Sequence, residues 1–338
     1  MFPSMACNPV QKILIYFNFT CNVMDMNTTI HSLSEKDIAR FLDVTVSDLS
    51  EKTRILIQKT DLRYREMGQH ERDQAMLTIL KRLESPDLGI SGIDQKERWI
   101  RGWNENLNMF IESGYDERSL IPKYIKQKHP VRLYGDYVMP LNENFERDFL
   151  FIIRQWLFAT YLSTHNPIYE FGCGTGANLV ELAHMYPGKE LHGSDWIDVP
   201  KKIIDLLAKK KGYNLTGHIF DMFFPEESFS LKKGSEILAV NSLEQIGDKF
   251  EPFLQFALAQ KPSVFVHVDS FVEFYDENNL PDYLTLMHNR KRNYLSGYMT
   301  RLRELERLGA IDILKAQHVP CGGLYHDFYS FIVWKPRT

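Results

Sequence analysis

The sequence predicts an α/β protein whose later part, residues 140–338, is a doubly wound sheet, with a mostly helical region before it. Three observations predict this. From residue 168 onward, short apolar runs of strand length alternate with amphipathic stretches of helix length. A glycine-rich turn, Gly172-Cys173-Gly174-Thr175-Gly176, joins the first of these runs to the helix that follows, the strand–turn–helix order of nucleotide-binding domains. The last two runs, Ile311–Leu314 and Phe328–Trp334, are separated only by the short connection from Gln317 to Asp327, which suggests an antiparallel hairpin.

Composition agrees with a globular chain. Its 338 residues are 44% hydrophobic and 13% aromatic, enough for a sizeable core in one large or two ordinary domains. Forty basic residues stand against 44 acidic ones, for a net charge of −4. That argues against a general polyanion binder and leaves room for a local basic patch. Cys7, Cys21, Cys173 and Cys321 are scattered, without a C-x-x-C pair or metal-type spacing, and read as reduced thiols of a cytoplasmic protein. No apolar run reaches the ~18 residues of a membrane span. The run Ile13 to Phe17, after Lys12, is too short for a secretory signal. With Met24 and Met26 as alternative starts, residues 1–25 are set apart as an extension.

Residues 26–139 form the expected N-terminal region. Ser32 and Glu35 have capping-box spacing, and residues 32 to 85 read as helical, with Ile38, Phe41 and Leu42 on one face. Asp37 to Leu49 has the outline of a helix-turn-helix but lacks the basic residues that phosphate contacts demand, so two packed helices are the better reading. Arg63, Arg65, Glu66, Glu71 and Arg72 read as a solvated helical stretch. Ser85-Pro86-Asp87 breaks the pattern. A helix over about 94–113 carries Trp99 and Trp103, read as core aromatics. Lys123, Lys126, Lys128, His129 and Arg132 make a basic stretch, either a solvated loop or a greeting for an anionic substrate. Asn142 to Ser163 reads as one helix entering the sheet domain, and Tyr134 to Phe145 as a segment able to cover a ligand.

In the sheet domain, Ile168-Tyr169 runs into Glu170 and the glycine turn. A second run ends on Asp195, a third (Leu215 to Phe220) on Asp221, a fourth (Glu236 to Val240) on Asn241, and a fifth (Val264 to Val268) on Asp269. A helix from Pro281 to Leu308 precedes the final pair. The glycines allow a strand to turn sharply into a helix and a ligand to approach the backbone. Glu170 discriminates among ligands, because a carboxylate two residues before the first glycine would repel a pyrophosphate and suit a cationic group. Asp195 can accept hydrogen bonds from both hydroxyls of a ribose. A ribose with a nearby ammonium and no phosphate points to S-adenosylmethionine.

At Glu170-Phe171-Gly172-Cys173-Gly174-Thr175-Gly176 the chain resembles the class I S-adenosylmethionine-dependent methyltransferases, and its C-terminal segment resembles sugar O-methyltransferases of bacteria. The resemblance covers residues 140–338. It implies a Rossmann-like, seven-stranded sheet with a reversed last strand. It also implies that Asp221 bonds the adenine amino group and that Met222 packs on the ring. Glu170, Gly172, Cys173, Gly174, Gly176, Asp195, Trp196, Asp221, Met222 and Asn241 make up the expected cofactor-binding set.

Methyl transfer needs proximity, alignment and, for a hydroxyl acceptor, a base. Glu244, Asp269 and His326 qualify by position. Glu244 reads equally as a helix-start carboxylate, and His326 can be oriented by Asp327 beside it. His267 reads as facing the packing side. No metal set is expected, although Asp269 with Glu244 leaves a divalent ion open. His288, Arg290 and Arg292 can pair with an anionic group on the acceptor or form a solvated helix face. The expected partner is a small-molecule hydroxyl or amine, with a peptide or protein side chain next. Neither nucleic acid nor membrane is expected, and the N-terminal region serves as a lid or a homodimer contact. A nicotinamide-dependent oxidoreductase and a non-catalytic binding protein of the same fold remain as alternatives.

Overall fold

The computed structural model describes residues 29–122, 127–327 and 329–337. The expectations for residues 1–25, including Cys7 and Cys21, and for Lys123, Lys126 and Phe328 lie outside them. In chain order the elements are β1 (Ile30–Ser32), α1 (Glu35–Phe41), α2 (Glu51–Lys59), β2 (Arg63–Glu66), α3 (Gln69–Glu84) and α4 (Lys96–Glu112). Next come β3 (Val131–Leu133), β4 (Asp136–Pro140), α5 (Phe145–Tyr161), β5 (Ile168–Phe171), α6 (Ala177–Met185), β6 (Leu191–Asp195), α7 (Asp198–Lys211) and β7 (Leu215–Ile219). The chain continues with β8 (Glu236–Val240), α8 (Glu251–Gln260), β9 (Val264–Asp269), α9 (Leu280–Arg292), α10 (Tyr298–Arg307), β10 (Ile311–Gln317), β11 (Cys321–Gly322) and β12 (Ser330–Pro336).

Seven strands form the main sheet in the order β10-β12-β9-β8-β5-β6-β7. Strands β5 to β9 pair in parallel, and β12 runs antiparallel to both β9 and β10. Counted in chain order from the β7 edge, the strands read 3-2-1-4-5-7-6 with the seventh reversed, which is the class I methyltransferase fold. Every residue of β5, β8 and β9 is buried, as expected of central parallel strands covered on both faces. Alternate side chains feed two cores. Ile168, Leu238 and Val266 pack with α5, α6 and α7. Phe171, Ile237, Phe265 and Trp334 join an aromatic core with Phe253 and Phe220 on the other face. The strand order reverses between β5 and its neighbours β6 and β8, so a crevice opens there at the carboxyl edge.

The N-terminal region is mostly helical, but it also holds strands. Its sheet has the order β1-β2-β4-β3-β11, antiparallel throughout. Arg63 to Glu66, read as a helical stretch, is strand β2. It has no apolar face of its own, and its form comes from pairing with β1 and β4. Strand β11 belongs to the C-terminal connection and completes this sheet against β3. Buried Arg132 of β3 ties the parts together. Its Nε donates to Asp327 Oδ1 at 2.9 Å and its Nη1 to Thr285 Oγ1 at 2.6 Å, while its Nη2 bonds Asp282.

Two boundaries differ from expectation. The first helix is capped by Ser34 and Asp37, each bonding the other's backbone, and not by Ser32 and Glu35. The helix expected from Pro281 to Leu308 is broken into α9 and α10, because Asn293 (φ 54°) and Gly297 (φ 82°) are left-handed. Helices α1 and α2 pack as a plain pair burying Ile38, Phe41 and Ile57. Among the described residues, no helix is long and apolar enough to cross a membrane.

Candidate functional site

The site begins where β5 ends. Gly172 and Gly174 have φ of +72° and +51°, and neither has room for a side chain. A Cβ on Gly172 would stand 2.4 Å from Ser242 Cβ, and one on Gly174 would stand 2.9 Å from the Trp103 ring. Ser242 holds the turn from the neighbouring strand end, its hydroxyl donating to the Phe171 carbonyl at 2.9 Å. Gly176 is the left-handed residue that starts α6 and packs toward Ile204 of α7, away from the crevice.

Two buried carboxyl groups flank this loop. Glu170 is fully buried; its Oε1 accepts from Asn178 Nδ2 at 2.6 Å, and its Oε2 has no partner. Burial pushes its pKa up to about 8. Asp195 ends β6. Its Oδ2 accepts the Gly174 N–H at 3.1 Å, its Oδ1 has no partner, and burial raises its pKa to about 7. Asn241, at the end of β8, is held at φ 51° with its Oδ1 also unpartnered. Buried polar atoms rarely go unpaired; of these three oxygens, those of Asp195 and Asn241 belong to residues that line the crevice, where a ligand can supply the partner, and that of Glu170 lies beneath the loop.

The crevice has two compartments. The larger, of about 400 Å³, lies over Cys173, Thr175 and Asn178 and is walled by Arg147, Phe151 and Arg154 of α5. The smaller, of about 70 Å³, is lined by Asp195, Trp196, Asp221, Met222 and Gln245. Trp103, Gly172 and Asn241 line both and form the seam. Of the expected cofactor-binding set, then, Gly172, Cys173, Gly174, Asp195, Trp196, Asp221, Met222 and Asn241 meet at one cleft. Glu170 lies sealed beneath the loop and Gly176 packs inward. Asp221 also bonds its own loop, accepting the Phe223 N–H at 2.8 Å. Burial raises the Cys173 thiol well above its ordinary range, so it is no thiolate.

Trp99 and Trp103, read as core aromatics, line this cleft instead. Their rings stack at 5.4 Å, and Trp103 lies on the glycine loop. Their helical spacing is the same for a core face and a ligand-facing one, so the sequence held no signal that could separate the two. The segment from Tyr134 to Phe145 does not line the cleft; Tyr134 stacks on Phe41 at 4.7 Å, and its hydroxyl bonds Asp37 at 3.0 Å. The residues of α5 on the wall, Arg147 and Arg154, were not singled out by the sequence either.

The expected catalytic residues lie behind the cleft wall. Glu244, 4% exposed, donates its N–H to Asp269 Oδ2 at 3.0 Å and accepts Gln245 Nε2 on Oε1 at 2.7 Å, leaving Oε2 unpartnered. Burial and the Asp269 charge raise its carboxyl well above the usual range. Asp269 accepts the Ser270 N–H at 2.9 Å and stands 3.2 Å from His267 Nε2. His267 is buried against Phe271 and Tyr298, as a packing residue, yet its ring also reaches Asp269. Gln245 is the partition, lining the smaller compartment in front and bonding Glu244 behind. His326, 3% exposed, stacks with His288 at 5.3 Å, and burial holds it neutral. Asp327 beside it is committed to Arg132 and, at 3.2 Å, to His318. Arg290 is exposed and paired with Glu277 at 2.6 Å. Among the described residues, no group of three or more metal-ligating side chains could hold an ion.

No protein-family profile matches the chain, and no curated protein matches it. Solved structures similar to it include the PH0226 protein of Pyrococcus horikoshii, at 16% identity and TM-score 0.42 over 58% of this chain and 93% of that one. Magnesium protoporphyrin IX methyltransferase from Synechocystis, with bound SAH, is 13% identical, at TM-score 0.40 over 56% of this chain and 82% of that one. The [4+2]-cyclase SpnF is 14% identical, at TM-score 0.44 over 68% of this chain and 76% of that one. The fold assignment itself rests on the strand order and the reversed last strand.

Proposed function

We propose that the chain binds S-adenosylmethionine across the two-compartment cleft and moves a methyl group to a hydroxyl or amine of a small molecule. The observation that carries this reading is Asp195, a buried carboxyl with one oxygen fixed to the glycine loop and the other unpartnered beside the smaller compartment. An acceptor of that kind suits a ribose diol. Glu170 adds a buried carboxyl beneath the loop, with a pKa raised to about 8, whose ionised form is favoured by a cationic group on the ligand and disfavoured by a pyrophosphate. The nicotinamide reading is weakened further by the reversed last strand.

When bound, S-adenosylmethionine supplies a methyl group already activated on a sulfonium. The chain's own residues then have three tasks. Asp195, Asp221 and Met222 orient the adenosine half, and the Trp99–Trp103 stack of α4 covers the loop against water. That gives the N-terminal region, ahead of a boundary near residue 140, the role of a lid. Glu244 stands beside Asp269, and burial and the Asp269 charge raise its carboxyl well above the usual range. In its ionised form Glu244 receives the acceptor's proton when Gln245 turns away from it.

Calorimetric titration with S-adenosylhomocysteine tests this reading. Saturable binding by the wild type and its loss in Asp195→Ala are expected. A folded wild type that does not bind overturns it.

A further inference from the structure

Three guanidinium groups converge on the loop between α3 and α4. Arg292, at the end of α9, is 8% exposed, and its Nε has no hydrogen-bond partner. Its backbone carbonyl accepts the Ser91 N–H at 2.7 Å, and its guanidinium lies 4.8 Å from the centre of the Tyr294 ring. Arg98 of α4 reaches the same loop, its Nη1 standing 2.7 Å from where a Cβ on Gly89 would be. Arg82, near the end of α3, donates to the Asp87 carbonyl at 3.4 Å. Among the described residues, no carboxylate forms an ion pair with any of the three. The mutual crowding is visible at Arg98, whose pKa is lowered by burial and by the charges of Arg292 and Arg82. Glu244 also acts on Arg292 electrostatically, and burial and the Asp269 charge raise its carboxyl well above the usual range.

An uncompensated cation at a buried position such as that of Arg292 is destabilising, and the place where the three gather adjoins the cleft. Ser91, which holds Arg292, also donates its hydroxyl to Gln245 Oε1 at 3.1 Å. Gln245 and Trp99, the neighbour of Arg98, both line the smaller compartment. His288, 5% exposed with its Nδ1 unpartnered, lies against Tyr294 and adds a neutral polar edge, since burial lowers its pKa to about 4.

We propose that Arg98 and Arg292, backed by Arg82, seat a phosphate group carried by the methyl acceptor; this rests on the cofactor reading above. The planar guanidinium forks bond oxyanions in pairs. Three positive charges match a phosphate dianion and would leave excess charge around a carboxylate. The acceptor is thus a phosphorylated small molecule, with its phosphate held at the loop between α3 and α4.

The test is a titration of the full chain, saturated with S-adenosylhomocysteine, with inorganic phosphate and separately with acetate. The variants are Arg292→Gln, Arg98→Gln and, as a control on the same helix, Arg290→Gln. Expected are saturable phosphate binding, weakening by about tenfold in Arg292→Gln and Arg98→Gln, no change in Arg290→Gln, and weaker binding of acetate. Arg98 is exposed, so its variant answers even if Arg292→Gln misfolds. Absence of phosphate binding, or equal binding by Arg98→Gln, overturns the seat while bound S-adenosylhomocysteine leaves the cofactor reading standing. Acetate binding as tight as phosphate overturns the choice of phosphate. Phosphate binding without any S-adenosylhomocysteine binding overturns the cofactor reading and the acceptor role with it.

Discussion

Two pairs of carboxyl groups stand at the carboxyl edge of one sheet, and they are built in opposite ways. Glu170 and Asp195, on β5 and β6, each tie one oxygen to the glycine loop or the helix after it and leave the other unpartnered. Glu244 and Asp269, after β8 and at the end of β9, are tied to each other and closed off by Gln245. In the proposed reading Asp195 of the first pair completes its hydrogen bonds with the ligand, and Glu244 of the second takes up a proton once the wall moves. Burial alone does not separate them, since all four are buried; Asp195 lines the smaller compartment, whereas Glu244 and Asp269 line neither.

The sharpest way to break the comparison is Gly174→Val. A β-branched residue at φ +51° with its Cβ 2.9 Å from Trp103 would have to displace the ring and the loop together. Binding of S-adenosylhomocysteine is expected to vanish in calorimetry. Asp195→Asn keeps the shape and loses the charge, and a loss of about 100-fold in affinity is expected. Glu244→Gln, by contrast, should leave that affinity within about twofold, since its side chain does not line the cleft. If Glu244→Gln weakens cofactor binding as much as Asp195→Asn does, the two pairs are not functionally distinct.

A smaller effect is expected from pH. Glu170 and Asp195 have pKa values raised to about 8 and about 7, so in the free protein both are partly protonated near neutrality. Binding a ligand that presents its ammonium group there favours their ionised forms. Affinity for S-adenosylhomocysteine should therefore tighten as pH rises from about 6 to about 8 and then level off. Stability of the free protein runs the other way. A carboxyl whose folded pKa lies above its unfolded value binds more protons when folded, so stability falls as pH rises between the two values. Glu170→Gln should flatten that fall, visible as a smaller difference in Tm between pH 5 and pH 8.5. An unchanged slope would show that Glu170 is already ionised in the free protein.

Much of the cleft was legible in the sequence because local backbone rules impose it. Gly172 and Gly174 are needed at left-handed, close-packed positions, and each acid that ends a strand lands at the sheet edge by register alone. The reversed β12 followed from the shortness of the connection before it. Other features depend on contacts distant in sequence. Strand β2 exists through its pairing with β1 and β4, and its Arg-Tyr-Arg-Glu residues carry no period of their own. The break between α9 and α10 is hidden because Leu295, Tyr298 and Leu302 continue the apolar spacing across it. Glu244 reads as an edge carboxylate, and only the fold shows Gln245 standing between it and the cleft. Trp103 is the same kind of case, since its helix turns one aromatic face to a neighbouring surface, and nothing local says that the surface is a glycine loop.

Trp103 also gives the finest test of the comparison. Its ring lies on Gly174 and lines both compartments, so it touches the first carboxyl pair's loop and lies on the far side of Gln245 from the second. Trp103→Phe keeps an aromatic cover but shortens it and weakens its stack on Trp99. The loss of contact area predicts a decrease in S-adenosylhomocysteine affinity of about three- to tenfold. The pH dependence of binding should keep its midpoint, because the groups that titrate remain in place. A shift of that midpoint toward lower pH in Trp103→Phe would mean that the indole helps to exclude water from Asp195, so that the cover sets the charge of the first pair as well as the fit of the ligand.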